Sequence, residues 1–370
     1  MNNEQPLLQP YKSANLDLRN RVVMAPMTRS RAANPKNKAT GELQGEYYAQ
    51  RASAGLIITE GSQVSPQAVG YINTPGIYSD AQVEGWKEVT SKVHSAGGKI
   101  FIQLWHVGRM SHPDFHNGEL PVAPSAINPE SKSYTPQGFK DTVAPRAMTL
   151  QDIQDTINDF AKAAKNAIAA GFDGVEIHSS NGYLFHQFFS ATSNKRDGQY
   201  GGSIPNRARI LFDVLEAMKK EIPEQKIGLR LNPSLHGIFG MTMDEETIPT
   251  FDYIVEKLNN YDLAYLHLSE PFTDVSGIPY AETQIARRYR PMFKGTLMIN
   301  SNFSQESGNA VIEAGDADLV AFGKPYISNP DLVERFAANA PLAKWNTDTF
   351  YTPGTEGYLD YPKLAEVAQS

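Results

Sequence analysis

Short runs of apolar, mostly β-branched residues recur along the chain, and most are followed by a stretch whose apolar positions have helical spacing. Eight runs occur in order: RVVMAP from residue 21, LIITEG from 56, IFIQLW from 100, GVEIHS from 174, KIGLRLN from 226, LAYLHLS from 263, TLMINS from 296 and LVAFGK from 319. Uninterrupted runs of this kind are typical of strands that are buried on both faces. They predict eight strands of a parallel sheet.

The segments between the runs contain helices with recognisable ends. Thr149 is placed as an N-cap three residues before Asp152, Pro205 falls in the first turn of a second helix, and Ser304 caps a third. Strand and helix alternate eight times, which favours a closed (β/α)8 TIM barrel. An open doubly wound sheet is the alternative, and it is weakened because no G-x-G-x-x-G motif follows any of the strands.

The strands are unevenly spaced. The third and fourth begin 74 residues apart, at 100 and 174, whereas the seventh and eighth begin 23 apart, at 296 and 319. The additional residues after the third strand, 111–148, are rich in Pro, Ser and Asn. They predict a long loop, with room for a hairpin, over the top of the barrel. The first twenty residues predict a hairpin that plugs the bottom. No linker is visible, so we expect a single domain over residues 1–370.

Composition narrows the class of protein. Hydrophobic residues make up 41% of the chain and charged residues 20%, and 34 basic against 41 acidic residues give a net charge of −7. Without a basic cluster, nucleic acid and anionic membranes are not expected partners. The absence of cysteine excludes disulfides, thiolate metal sites and a cysteine nucleophile. The polar start MNNEQPLLQPYKS lacks the layout of a signal peptide, and a cytoplasmic protein is the default expectation.

Barrels of this class build their active sites at the carboxyl ends of the strands. Polar residues stand at most of these ends: Thr28 after the first strand, Gln103, Trp105 and His106 on the third, His178 on the fourth, Arg230 on the fifth, His267 on the sixth, Asn302 after the seventh and Lys324 after the eighth. The fourth strand continues into the segment DGVEIHSSNGYLFHQFF, which begins at residue 173 and contains the densest group of such residues.

Three interpretations of this segment stand side by side. Glu176 and His178 share a strand face and could ligate zinc with a further histidine, although the first strand lacks the H-x-H of common metal-dependent barrel hydrolases. His178 and Asn181 could instead donate hydrogen bonds to one oxygen, with Tyr183 as a general acid. A polar cap at a strand end is nearly as good an explanation. Spacing by itself leaves all three open.

A second group of residues indicates an anionic cofactor. Arg230 lies on a strand that is expected to be buried, where its charge needs either a structural ion pair or a bound anion. Lys324 follows the eighth strand, and Ser301 and Asn302 follow the seventh. The loops after these two strands commonly bind phosphate in such barrels. A phosphate-bearing cofactor across the barrel mouth, reached by Arg230 and Gln103, accounts for both observations.

The chain resembles the Old Yellow Enzyme family of FMN-dependent ene-reductases nearly from end to end. The resemblance rests on long motifs in the family's order: NRVVMAPMTRSRA, EYYAQRASAGLIITEGSQVS, IQLWHVGR, GFDGVEIHSSNGYLFHQFFSATSNKRDGQYGGSIPNRAR, IGLRLNP, DLVAFGKPYISNPDLVERF and FYTPGTEGYLDYP. It implies a non-covalently bound FMN, NADPH or NADH as the hydride donor, and reduction of the activated C=C bond of α,β-unsaturated carbonyl or nitro compounds.

The resemblance also assigns roles to residues. The implied FMN-binding residues are Pro26, Thr28, Gly61, Gln103, Arg230, Ser301, Asn302, Gly323 and Lys324. His178 and Asn181 are implied to bind the substrate's oxygen and Tyr183 to be the proton donor, with Tyr71, Trp105 and Tyr351 as aromatic walls. No metal is implied. Glu60 has no implied chemical role.

This sequence departs from the family pattern in the loops after the seventh and eighth strands, where phosphate is expected to bind. Lys324 stands where many members have arginine, and INSNF at 299–303 replaces a segment that is usually richer in glycine. Either its side chains point away from the phosphate or the backbone approaches less closely. Electrophilic alkenes, quinones, nitro compounds and phenolic ligands all suit the family, and a monomer or homodimer is expected. Two other functions remain as alternatives: a metal-dependent barrel hydrolase and a non-catalytic protein that binds flavin or phenols.

Overall fold

A computed structural model of the protein describes residues 5–364. Eight parallel strands close into a barrel, and the eighth pairs with the first. The barrel strands, labelled β1 to β8, are Val22–Met24, Leu56–Gln63, Ile100–Trp105, Gly174–His178, Ile227–Leu231, Tyr265–Ser269, Leu297–Asn300 and Leu319–Phe322. Each lies within one of the eight apolar runs, except that β2 continues to Gln63, so the predicted (β/α)8 barrel is confirmed and the open sheet is wrong.

The helices follow the strands on the outside of the barrel. In chain order, α1 to α10 are Glu46–Ala49, Asp80–Ser95, Leu150–Ala169, Leu184–Phe189, Ile204–Met218, Thr247–Leu258, Ile285–Tyr289, Gln305–Glu313, Lys324–Ser328 and Leu332–Ala338. The predicted caps are confirmed: Thr149 and Asp152 form a reciprocal capping box at the start of α3, and Ser304 caps α8. None of the helices in residues 5–364 is long and apolar enough to cross a membrane.

The predicted hairpin at the bottom of the barrel is present. Its strands, Tyr11–Lys12 and Asp17–Leu18, pair antiparallel. Leu16 and Leu18 are buried in the same apolar cluster as inward-facing barrel residues such as Ile58. Burial of these leucines closes the lower end, so the open end is the one at which the strands have their carboxyl termini.

The long segment after β3 contains the hairpin for which the sequence left room. Strands Lys132–Thr135 and Gly138–Asp141 pair antiparallel, and a short parallel pair, Val122–Ala123 with Arg146–Ala147, ties the base of the excursion together. Tyr134 and Phe139 stack across the hairpin with ring centroids 4.6 Å apart. Both rings also line a cavity at the open end of the barrel.

Candidate active site

A cavity of about 340 Å³ lies at the carboxyl ends of the barrel strands. Its lining residues are Pro26, Thr28, Ser30, Tyr71, Gln103, Trp105, Tyr134, Phe139, His178, Asn181, Tyr183, Arg230, Phe239 and Tyr351. The structure therefore brings together the residues that the sequence singled out for substrate binding and for the flavin ring, apart from Gly61. The five remaining candidates, Gly61, Ser301, Asn302, Gly323 and Lys324, do not line this cavity.

His178 and Asn181 are placed by a sharp turn after β4. Strand β4 ends at His178, and Asn181 and Gly182 both adopt left-handed backbone conformations, with φ of 58° and 80°. Asparagine and glycine tolerate this region better than most residues, which explains the local sequence. The Ser180 hydroxyl lies 3.1 Å from His178 Nδ1, so Nε2 is the ring nitrogen that remains for a ligand.

The electrostatics of the two side chains suit neutral hydrogen-bond donors. Burial, with a smaller contribution from the positive charge of Arg230, holds the pKa of His178 well below its usual value. The imidazole is therefore neutral at physiological pH. Asn181 Oδ1 accepts a hydrogen bond from Asn232 Nδ2 at 3.4 Å, which leaves the Asn181 amide hydrogens for another partner.

Tyr183 stands at the N-cap position of α4 and is 8% exposed. Its hydroxyl lies 3.1 Å from the hydroxyl of Tyr71, a contact for which the sequence offers no signal. Burial, assisted by the neighbouring Tyr71, raises the pKa of Tyr183 well above its usual value, so the phenol keeps its proton at neutral pH. His178 meets the Tyr183 ring edge to face, with centroids 5.1 Å apart.

Aromatic side chains form the sides of the cavity. Tyr71 stacks on Trp105 with centroids 5.3 Å apart, and Trp105 in turn lies 6.0 Å from the His178 ring. Gly61 is needed here because a Cβ at this position would come within 2.6 Å of the Trp105 ring. The glycine that the resemblance placed near the flavin thus also makes room for the tryptophan.

Four lining residues were missed by sequence reasoning: Ser30, Tyr134, Phe139 and Phe239. The last three and Tyr351 are called the mouth residues below. They come from segments outside the barrel strands, Tyr134 and Phe139 from the hairpin after β3, and Phe139 and Tyr351 are 73% and 55% exposed. In the sequence, Tyr134 and Phe139 alternate with polar residues, which could have indicated that both rings lie on the same face of the hairpin. Which way this face points relative to the barrel depends on the tertiary structure. Arg31 fixes the Tyr351 segment, since its guanidinium donates to the carbonyls of Phe350 and Thr349.

A buried polar group, called the floor cluster below, consists of Gln103, Glu176, Arg230 and His267. All four side chains point into the barrel, and none is more than 7% exposed. Glu176 accepts hydrogen bonds from Gln103 Nε2 and from His267 Nδ1, both at 2.8 Å. No group of three or more His, Asp or Glu residues within 5–364 is arranged to hold a metal ion.

Arg230 resolves one question that the sequence left open. Its Nη2 donates to Asn300 Oδ1 at 3.0 Å and, more distantly, to Ser269 Oγ at 3.4 Å. No carboxylate among residues 5–364 forms a direct ion pair with it, and its Nε has no hydrogen-bond partner although it is buried. The ordinary structural ion pair is therefore not its explanation. A buried guanidinium with a spare donor beside a cavity is suited to binding a ligand with polar or anionic atoms.

The residues implied to bind the phosphate, Ser301, Asn302, Gly323 and Lys324, lie at neighbouring strand ends. Asn300 at the end of β7 pairs with Ala321 of β8, which brings the loops that follow the two strands side by side. Ser301 and Asn302 have φ of 90° and 58°, the left-handed region that glycine adopts most readily. Asn302 and Lys324 are exposed. The replaced glycines thus keep a glycine-like backbone, and the Asn302 side chain is directed to solvent.

Comparisons with known proteins agree with this architecture. A family model described as the NADH:flavin oxidoreductase / NADH oxidase family matches residues 6–343. The 12-oxophytodienoate reductase 1 of Oryza sativa subsp. japonica is 40% identical over 370 residues, covering 98% of this chain and 94% of the relative.

Solved structures give the same result. Morphinone reductase matches with a TM-score of 0.92 at 42% identity over 99% of both chains, and its complex with tetrahydroNAD with 0.90 at 42% over 97% of both. An Old Yellow Enzyme homologue from Zymomonas mobilis matches with a TM-score of 0.90 at 39% identity, over 96% of this chain and 99% of that one.

Proposed function

Because the chain belongs to the NADH:flavin oxidoreductase / NADH oxidase family, which includes Old Yellow Enzyme, we propose that it reduces activated C=C bonds. Membership makes it an enzyme that uses a flavin, FMN, and a nicotinamide. The substrates we propose are α,β-unsaturated carbonyl and nitro compounds, with quinones as further acceptors. The observation that carries this proposal is the convergence of two neutral donors, His178 and Asn181, and a protonated phenol, Tyr183, in one cavity.

The residues present suit FMN. Bound there, FMN would supply hydride-transfer chemistry, with NADPH or NADH as the hydride source and the β-carbon of the alkene as the acceptor. Pro26 and Thr28 would border its ring, and Gln103 and Arg230 its pyrimidine edge. The unpartnered Nε of Arg230 supports this assignment, since a polar edge would satisfy it. The positive charge would also favour the reduced, anionic flavin.

The tail of the cofactor would lie over the ends of β7 and β8. Ser301 and Asn302 have positive φ angles, and turns that aim successive backbone N–H groups into one concavity are suited to binding phosphate. Gly323 and Lys324 would complete this site, with the lysine as a point charge rather than the forked contact of an arginine. Lys324 lies 5.9 Å from the centre of the Trp345 ring, which holds it near this site.

The chain's own residues would activate the substrate. His178 Nε2–H and the Asn181 amide would donate to the carbonyl or nitro oxygen and withdraw electron density from the β-carbon. Tyr183 would then protonate the α-carbon, because its raised pKa keeps the proton in place until a strong carbon base forms. Tyr71, Trp105 and Tyr351 would hold a flat substrate between them, as they would a phenolic ligand.

An anaerobic titration followed by visible absorption tests the proposal. The purified protein should be yellow, bleach with NADPH or NADH, and regain colour when cyclohexenone or N-ethylmaleimide is added. Bleaching without reoxidation by any activated alkene would contradict the proposed reaction and favour a flavin-binding protein without this activity. Comparing the two nicotinamides gives the cofactor preference, and gel filtration tests the expectation of a monomer or homodimer. A single cytoplasmic domain without nucleic-acid or membrane partners remains part of the proposal.

A further inference from the structure

Glu176 is a buried carboxylate that the proposed reaction does not use. It lies on β4 with its side chain inside the barrel and is inaccessible to solvent. Burying an ionised carboxylate is costly unless it is paired and hydrogen-bonded, so a residue with this cost calls for an explanation. Each of its two oxygens accepts a hydrogen bond, one from Gln103 and one from His267.

We propose that Glu176 is a positioning residue for the flavin: it holds the Gln103 amide with its carbonyl oxygen facing the cavity, and it offsets the charge of Arg230 at the floor. The inference rests on the FMN site of the proposed function, but not on which alkene is reduced. Gln103 lies on β3 directly beside Glu176 in the strand register, so the contact is built into the pairing of the two strands.

The orientation of the amide follows from the chemistry of a carboxylate. An ionised carboxylate only accepts hydrogen bonds, so the group that faces it must be the NH2 of Gln103 and not the oxygen. The groups around it keep Glu176 ionised: although burial raises its pKa, the electrostatic and hydrogen-bonding influence of the His267 N–H, together with the positive charge of Arg230, lowers it below its usual value. Gln103 Oε1 is then left as an acceptor on the cavity side.

An acceptor at this position selects one edge of a ligand. The pyrimidine ring of a flavin carries one N–H between two carbonyl groups, and only that N–H can donate to Gln103 Oε1. Arg230, whose Nε lacks a partner, is a donor for a neighbouring carbonyl. The floor cluster thus presents an acceptor, Gln103 Oε1, and a donor, Arg230 Nε, to a ring edge that carries both a donor and an acceptor. Reversing the Gln103 amide would instead place two donors, its NH2 group and Arg230 Nε, beside each other.

His267 fixes the other side of the carboxylate. Burial lowers its pKa despite the nearby Glu176, so the ring is neutral and donates through Nδ1. The charges of the floor cluster are therefore one negative, on Glu176, and one positive, on Arg230. Removing Glu176 leaves the guanidinium uncompensated in a site shielded from water, where charge interactions are strong.

Glu176→Gln tests both roles, because it keeps the size of the side chain and removes the charge. At an effective dielectric of about 20, loss of one unit charge at a separation on the order of 10 Å changes the ratio of reduced to oxidised flavin by on the order of tenfold. For a two-electron couple this is a shift of about 30 mV, toward more positive potential. The readouts are the FMN midpoint potential and the FMN dissociation constant, neither of which requires an alkene.

A matched control is Glu60→Gln, measured at pH 8. Glu60 is an equally buried carboxylate on β2, but it bonds to the Arg29 backbone N–H and the Tyr48 hydroxyl and does not line the cavity. This variant should change the ratio of reduced to oxidised flavin by no more than a few-fold. Equal potentials in Glu176→Gln and the parent enzyme would overturn the inference. Failure to reduce alkenes would overturn only the proposed function.

A second measurement needs no variant of Glu176. FMN methylated on the ring N–H cannot donate to Gln103 Oε1, so the parent apoprotein should bind 3-methyl-FMN at least tenfold more weakly than FMN. In Glu176→Gln, where Gln103 is free to turn, this discrimination should shrink. Equal binding of both flavins by the parent protein would show that the oxygen does not face the ring and would contradict the proposal, even if Glu176→Gln fails to fold.

Discussion

The floor cluster and the mouth residues border the same site but are built in different ways. Gln103, Glu176, Arg230 and His267 lie on four adjacent barrel strands, are at most 7% exposed, and contact one another or the neighbouring strand. The mouth residues come from the hairpin after β3 and from loops, and Phe139 is 73% exposed. Strands held on both sides fix a side chain much more firmly than a loop does. We infer from this difference that, in the proposed function, the barrel strands hold the cofactor and the segments outside them select the substrate.

His178, Asn181 and Tyr183 lie between these two extremes. They follow a floor strand directly, and the Asn181–Gly182 turn holds them against the sides of the cavity. If the comparison is right, changes at these residues should reduce the rate of alkene reduction strongly, whereas changes at the mouth should redistribute activity among substrates.

The largest effect is expected for Tyr183→Phe. Loss of a general acid costs about 10²- to 10⁴-fold, so alkene reduction should fall by that factor. Stopped-flow measurement of the two half-reactions separates this loss from the rate of flavin bleaching by NADPH, which should change much less. Equal losses in both half-reactions would contradict the acid role. Tyr71→Phe is the matched control, because it removes the hydroxyl that contacts Tyr183 while Tyr183 remains.

His178→Ala should follow, with a loss of about 10²- to 10³-fold in kcat/KM for cyclohexenone, the usual cost of removing one donor to a developing oxyanion. Ferricyanide, which has no carbonyl to bind, should be reduced with a much smaller change. If activity with cyclohexenone and with ferricyanide falls equally, His178 stabilises the structure of the site rather than binding the substrate's oxygen.

Glu60 gives a prediction about stability in the region that supports the mouth. Burial raises its pKa to about 7, despite the opposing effect of Arg29, so the folded protein retains a proton that the unfolded chain releases near pH 4.5. Stability should therefore fall as pH rises from about 4.5 to about 7, by up to about 3 kcal/mol from this group. Glu60→Gln should remove this part of the fall in stability with pH, which urea unfolding midpoints from pH 5 to 8 would measure. If the midpoints of the variant and the parent protein change with pH in parallel, the prediction is contradicted.

The smallest effects are expected at the mouth. Phe139→Ala and Tyr351→Ala remove largely exposed rings, so kcat/KM for small enones should change by less than about tenfold. Bulky substrates should respond differently from small ones, which a comparison of cyclohexenone with a large steroid-like enone would detect. A loss of more than 10²-fold for every substrate would show that these residues are as important to the reaction as the floor cluster, contrary to the proposed division of roles.

Much of this site was predictable from sequence because it is tied to strand ends. Each apolar run located a strand, and a polar residue at the end of a buried strand has few directions in which to point. His178, Gln103 and Arg230 follow this rule. Phe239 and the hairpin residue Phe139 do not, since a loop residue reaches the cavity only through the path that its loop takes across the barrel.

The order of the barrel elements, the helix caps and the types of residue at the strand ends could all be read from the sequence, since these depend on local spacing and on side-chain chemistry. Which polar atoms contact one another depends on the folded barrel. It pairs Glu176 with Gln103 and His267, brings the Tyr71 hydroxyl to Tyr183, and leaves Arg230 Nε without a hydrogen-bond partner. These contacts join residues up to 112 positions apart. Only closure of the barrel brings them within hydrogen-bonding distance.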